Sequence, residues 1–393
     1  MTVPETDPPP LPGMSRRVFV GASAGAVGAA AVALLASRAG SSGSRGPDIV
    51  RAGSDDQLRL WNWELYIDED EPGAPGTITR FQQRTGIAVS YDDSYPGNVE
   101  ALTGTFAQLA DGPLPYDVTV PTYWVAERLH RNGWLEPIPL ELVPNHVNVD
   151  PTYLGMPWDR GGRYHMPWQV GMTGIAYDPS LTGFDLNRIE DLFDRRLAGR
   201  VAFVGEMREA VGLTMMAGGA DPSRATLPAA QAALDRIADA AASGHVSHFG
   251  FFELRDLLES GEVAATMMWS GDAYQLIQTR PDIAFVVPDE GAIRWFDTMV
   301  IPRGAANRAA AAEWMNFVYD PANAAAISAY VQYISPVTGV REELLSQGLT
   351  DLASSPILFP PDDVQRRLYV FGGLEPDDAD ELDEAFAVVG GLV

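Results

Sequence analysis

The sequence predicts an α/β protein built as two lobes with a ligand cleft between them. Three observations carry that expectation. From Leu58 onward, short apolar stretches alternate with helical ones, the rhythm of a largely parallel sheet. Two segments, "YHMPWQVGMTGIAYDP" and "IRWFDTMVIP", break the rhythm and read as extended crossings between lobes. The length of 393 residues, with 46% hydrophobic and 20% charged content, suffices for two globular domains.

In chain order, the leader comes first. "SRRVFVGASAGAVGAAAVALLASRAG" pairs Arg16 with Arg17, continues as an apolar run from Val18 to Ala36 and ends in small residues around Ala39. This is the layout of a secretory signal, and its Ser-Arg-Arg-Val-Phe-Val string fits the twin-arginine route. The run is rich in glycine and alanine and only mildly apolar; a retained, uncleaved membrane anchor is the alternative. "GASAG", Gly21 to Gly25, matches the nucleophile-elbow pattern of hydrolases. It sits inside the leader, without the strand and helix that motif requires. Residues 1–40 are therefore read as an export signal, and 41–56, rich in Gly and Ser without periodicity, as a linker.

The folded part opens with "LRLWNW" as a strand, "TITRFQQRTG" as a helix closed by Gly86, and "IAVSYDDSY" as a second strand. A helix "NVEALTGTFAQLADG" and a strand "YDVTVPTYW" follow. The first crossing reads as two extended pieces joined near Gly171. Then come the strand "RVAFVG", a helix from Glu209 to about Gly218, the helices "LPAAQAALDRIADAAAS" and "ELRDLLESG", and the strand "VAATMMW". After the second crossing, "AANRAAAAEWMNFVYDP" has the apolar spacing of an amphipathic helix. Lobe 1 is expected to comprise 57–170 and 296–343, and lobe 2 171–295 and 344–393. No internal repeat is visible.

The formal net charge is −26, and every one of the 27 basic residues is arginine. Such an acidic chain argues against nucleic acid, whose phosphates it repels, and suits a soluble secreted protein. Cysteine is absent, so neither disulfides nor a thiol-linked lipid anchor is available. His245 and His248 in "HVSH" stand without further ligands at metal-binding spacing and read as a surface loop. No metal, cofactor or catalytic residue is expected.

Strand ends in such sheets are where ligands bind. The residues gathered there and on the crossings are unusual: aromatic Trp63, Tyr66, Tyr123, Trp269, Trp295 and Tyr333, with the acids Glu206, Glu209 and Asp297. Carboxylates without a neighbouring protein cation repel one another and invite an external one. Ammonium groups pair with carboxylates, while methylenes and the flank of a cation stack on indole and phenol faces. The pattern therefore suits an organic polycation. Plainer readings stand beside it: Trp269 ends an apolar strand and fits a core position, and acids at a helix start are favoured by its dipole alone. A carboxylate pair also permits a hydrolase.

Over about Leu58 to Pro336 the chain resembles the spermidine/putrescine-binding proteins of bacterial ABC importers. The resemblance rests on "NWELY", "YDVTVPTYWV", "PWQVGMTGIAY", "GEMREA", "GEVAATMMWSGDAY", "EGAIRWFDTMVIP" and "YVQYISP", all in family order. It implies a type II periplasmic-binding-protein fold whose two lobes close on the amine. By that resemblance the six aromatics fall on the ligand box and Glu206, Glu209 and Asp297 on the amine-binding acids. Glu64 and Thr122 are further candidates. Three departures stand out: Leu65 lies where an acid is usual, Phe251 where a small hydroxyl residue is common, and "LYVFGG" shows no recognisable polar contact.

The resulting expectation is a non-enzymatic, exported, monomeric receptor that hands a putrescine- or spermidine-class amine to a membrane permease. The same fold tuned to a monoamine or quaternary ammonium is the alternative, and a carboxylate-pair hydrolase a remote one. With Leu65, and Phe251 as a further candidate, offering apolar contact in place of polar groups, a diamine or a cation with an apolar tail is expected to bind better than spermidine.

Overall fold

The computed structural model describes residues 57–392. The export signal, the linker and the Gly21–Gly25 motif lie outside the described residues. Lobe 1 is organised around a three-stranded parallel sheet of order β2-β1-β3, with β1 Gln57–Trp61, β2 Ala88–Asp92 and β3 Val118–Thr119. Helix α1, Thr77–Thr85, joins β1 to β2 and ends where Gly86 takes φ 74°, a left-handed C-cap that glycine adopts without strain. The single helix expected next is broken: α2, Asn98–Thr103, stops at Gly104, and a 3₁₀ turn covers Phe106–Ala110. The strand expected to reach Trp124 ends early, because Tyr123–Arg131 forms helix α3.

The first crossing is one continuous strand, β4 Met166–Tyr177, buried along its whole length. It is the centre of a seven-stranded mixed sheet of order β10-β9-β4-β7-β5-β6, with β8 also paired to β4. The partners are β5 Val201–Val204, β6 Val246–Gly250, β7 Ala265–Trp269, β8 Ala284–Val286, β9 Ala292–Met299 and β10 Leu368–Tyr369. Burial on both faces explains why β4 carries no polar alternation. Helices α4 Met207–Ala217, α5 Leu227–Ala242, α6 Glu253–Ser260 and α7 Ser270–Thr279 flank this sheet. Helices α8 Arg308–Val318 and α9 Pro321–Val331 return to lobe 1, and α10 Pro376–Gly390 closes the chain.

Two large apolar cores result, beside a small cluster of Met172, Ala292 and Leu368. One holds Leu58, Phe81, Val118, Val170 and Phe296; the other holds Ile175, Phe203, Leu213, Met267 and Ile293. Strand β4 passes between cores from Val170 to Ile175, and antiparallel β9 passes back from Ile293 to Phe296. A third passage follows Leu358, and Phe371 is back in the second core. Here the structure corrects the expected boundary. Leu344, Leu352, Ala353 and Leu358, assigned by sequence to lobe 2, are buried in the lobe 1 core, since the short helix Val340–Ser346 packs on α9. The "HVSH" segment also differs: Val246 and His248 lie in β6, and His245 Nε2 lies 2.8 Å from the Leu192 carbonyl.

Candidate functional site

Strand ends and the paired crossings converge on a cavity of about 700 Å3 between the lobes. Strand β5 ends at Val204, and the chain turns through Gly205 into α4, so Glu206 is the N-cap and Glu209 lies in the first turn. Both face the cavity at the positive end of the helix. On β9, alternate residues share a face: Trp295 and Asp297 line the cavity, while Phe296 between them is 1% exposed in the lobe 1 core. Trp269 closes β7, and Trp63 and Tyr66 follow β1. Tyr333 comes from the segment after α9.

Each acid is held by neutral donors. Asp297 accepts from Tyr66 Oη at 2.8 Å and Thr122 Oγ1 at 2.6 Å. Glu209 accepts from Trp269 Nε1 at 2.7 Å and from the Thr173 hydroxyl. The Asn98 amide nitrogen lies 3.4 Å from Glu206 and donates to Thr122 Oγ1 at 2.8 Å. None of the three is in an ion pair among the described residues. The nearby cation, Arg208, is committed elsewhere: it binds both oxygens of Asp383 at 2.9 and 3.0 Å and stacks 3.6 Å above the Trp124 ring.

The carboxyls respond as buried, mutually repelling groups should. Burial pushes Glu209 up to about 8, with the charges of Glu206 and Asp297 adding to it. Burial likewise raises Glu206 to about 7; Arg208 opposes the rise, while Asp383 and Asp297 reinforce it. Asp297 rises through burial to about 6 despite its bonds from Thr122 and Tyr66. An incoming cation would reverse these shifts by pairing with the charged forms.

The aromatic walls are fixed from behind. The Tyr333 hydroxyl donates to Asp272 at 2.6 Å, Trp63 Nε1 to the Val120 carbonyl at 2.8 Å, and Trp295 Nε1 to Thr173 Oγ1 at 3.1 Å. Trp295 lies flat across Gly171, its partner on β4. A Cβ at position 171 would sit 2.2 Å from the indole, so only glycine admits this ring position.

Eight of the sequence-predicted residues thus line one cavity, together with Thr122 and Phe251. Three do not. Tyr123 begins α3, stacks on Phe296 at 5.1 Å and donates its hydroxyl to the Phe371 carbonyl at 2.9 Å; it ties lobe 1 to the C-terminal segment. Leu65 stands at φ 56° in the turn after β1 and is half-buried outside the cavity wall, and Glu64 is exposed. Sequence reasoning missed Asn98, Phe252, Glu253 and the α10 residues Glu384 and Phe386 at the mouth. Only Asn98, a polar residue at a helix start after Gly97, carried a local signal.

A second cavity of about 520 Å3, bordered by Tyr153, Pro336 and Arg341, holds none of the predicted residues. Among the described residues no acid or histidine cluster is placed to hold a metal ion, and no helix is long and apolar enough to cross a membrane.

Residues 76–356 match the bacterial extracellular solute-binding proteins. The chain belongs to that family. It is 26% identical over 321 residues to the spermidine/putrescine-binding periplasmic protein of Escherichia coli, covering 80% of this chain and 86% of that one. It is 28% identical over 300 residues to a putrescine/cadaverine-binding protein of Pseudomonas aeruginosa, covering 71% and 79%. The solved substrate-binding protein PotD of a spermidine/putrescine ABC transporter from Streptococcus pneumoniae shares its fold, with a TM-score of 0.71 at 22% identity over 86% of this chain and 98% of that one. The fold is accordingly the type II periplasmic-binding-protein fold. Ligand pockets form preferentially at such interfaces between lobes.

Proposed function

We propose that the protein is an exported receptor for a putrescine- or spermidine-class amine, which it delivers to the permease of an ABC importer. One observation carries the reading: Glu206, Glu209 and Asp297 converge, without a paired protein cation among the described residues, in a cavity walled by Trp63, Tyr66, Trp269, Trp295 and Tyr333. An ammonium placed among them gains charge-assisted hydrogen bonds and cation–π contact of about 0.5–2 kcal/mol per ring. A neutral or anionic solute gains neither. The relatives named for putrescine and spermidine support the same reading.

Thermal shift of the purified protein against an amine panel tests it. A ligand present at about 100 times its Kd adds about 2.7 kcal/mol of stability, so putrescine, cadaverine or spermidine should raise the melting temperature while amino acids and sugars leave it unchanged. The protein acts as a monomer, with no role for nucleic acid, and releases its ligand chemically intact. Recovery of a cleaved amine after long incubation would turn the reading toward a hydrolase. Export runs by the twin-arginine route, a reading that the Arg16–Arg17 pair before a mildly apolar run supports.

The second reading, a cation other than a polyamine, draws on a specific observation. Neither Leu65 nor Glu64 reaches the cavity, so its inner end offers three acids, enough for one or two ammonium groups.

A further inference from the structure

The cavity continues outward beyond the acids, and its outer half is built differently. Of the six large apolar side chains exposed among the described residues, Val99, Phe251 and Phe252 border this one mouth, at 52%, 38% and 42% exposure. Phe386 and Leu392 complete the wall from α10 and the residues after it. Apolar surface concentrated at the lip of a cavity marks a binding surface.

The rings form an unbroken path from the acids to that lip. Tyr66 meets Tyr333 at 6.0 Å, Tyr333 meets Trp295 at 5.5 Å, and Trp295 meets Trp269 at 6.0 Å. Trp269 then meets Phe252 at 5.4 Å edge-on and Phe251 at 6.4 Å. Trp269 is the pivot, since its N–H binds Glu209 while its ring contacts the phenylalanines. Phe251 packs directly over Gly205, the residue between β5 and Glu206; a Cβ there would fall 2.7 Å from its ring. The acid-bearing turn and the mouth ring are thus fitted to one another.

The volume of about 700 Å3 falls within the 300–1,000 Å3 of sites for drug-sized ligands, well beyond an unbranched diamine. Glu100, Glu253 and Glu384 also border the mouth but are exposed, and Asp383 there is paired with Arg208. The exposed acids stay hydrated and do not oblige a second ammonium to bind there.

Resting on the amine reading above, we propose that the preferred solute is an amine carrying an apolar, ring-sized end group. Its ammonium pairs with Glu206, Glu209 and Asp297, and its end group lies against Phe251, Phe252 and Val99. The solute class is a putrescine-class diamine carrying one apolar N-substituent, a narrowing of the amine class proposed above.

The test compares putrescine, spermidine, spermine and N-benzylputrescine by calorimetry on the purified protein, its Phe252→Ser variant and its Val99→Ser variant. N-benzylputrescine should bind at least about tenfold more tightly than putrescine, and that ratio should fall several-fold in each variant. The ratio is taken within each protein, so a general loss of stability does not imitate it. Equal or tighter binding of putrescine, spermidine or spermine overturns the apolar mouth and leaves the amine receptor standing. A benzyl preference untouched in both variants overturns it too. Failure of every amine to bind removes the amine reading and this inference together.

Discussion

Replacing Glu209 by Gln separates what the acid costs the empty protein from what it gives the complex. The residue is 7% exposed, and a glutamine oxygen can still accept from Trp269 and Thr173. Its carboxyl is pushed by burial to about 8 from an ordinary 4.5. A group whose folded pKa is raised stabilises the fold below its unfolded pKa, and that contribution is lost as pH climbs toward the folded value. At pH 7 the interval from 4.5 to 7, at about 1.4 kcal/mol per pH unit, sets an upper bound of about 3 kcal/mol against the empty wild type. Relaxation and water in the cavity reduce this, so Glu209→Gln should stabilise the unliganded protein by about 1–3 kcal/mol at pH 7. For a chain of this size that is a rise in Tm of about 1–4 °C. The difference should vanish near pH 4.5 and grow up to pH 8. In the complex the sign reverses: the buried ammonium loses its partner, and amine affinity should fall by about 2–5 kcal/mol. Thermal melts from pH 5 to 8.5 and calorimetry with putrescine read both effects. A variant that melts below wild type at pH 7, or that binds putrescine within about twofold of it, refutes the reasoning.

Binding should be proton-linked. The empty-site acids sit near 6, 7 and 8 and must ionise to hold a cation, so affinity should rise from pH 6 to pH 8.5, with protons released in calorimetric titrations across buffers; a flat profile contradicts the assigned site. Gly171→Ala should displace Trp295 and weaken amine binding by about tenfold or more, measured beside a melt that confirms folding. Leu65→Glu should leave the putrescine-to-spermidine preference unchanged, because position 65 lies outside the cavity wall; a shift toward spermidine in a competition titration would show that the side chain enters the site. Arg16→Lys with Arg17→Lys should retain the precursor in the cytoplasm, as cell fractionation would reveal.

Local chemistry in the sequence determined many of the elements and brought most of the inner cavity residues into view. The Gly86 and Gly261 caps follow from backbone freedom that reads off a single position. Glu206 and Glu209 at a helix start, and Trp295 and Asp297 two apart on a strand, face one way because helix and strand periodicities require it. Tertiary structure decided the rest. Tyr123 resembles a wall residue in its motif, yet it begins a helix instead of extending a strand, which turns its ring onto Phe296 and its hydroxyl to the Phe371 carbonyl. Leu65 reads as a missing acid only until the left-handed turn keeps it out of the cavity. The commitment of Arg208 to Asp383 joins residues 175 positions apart, and the apolar mouth combines α2, the turn before α6 and α10. Such contacts have no periodic signature, since packing brings those segments together and no local rule of sequence encodes which surfaces will meet.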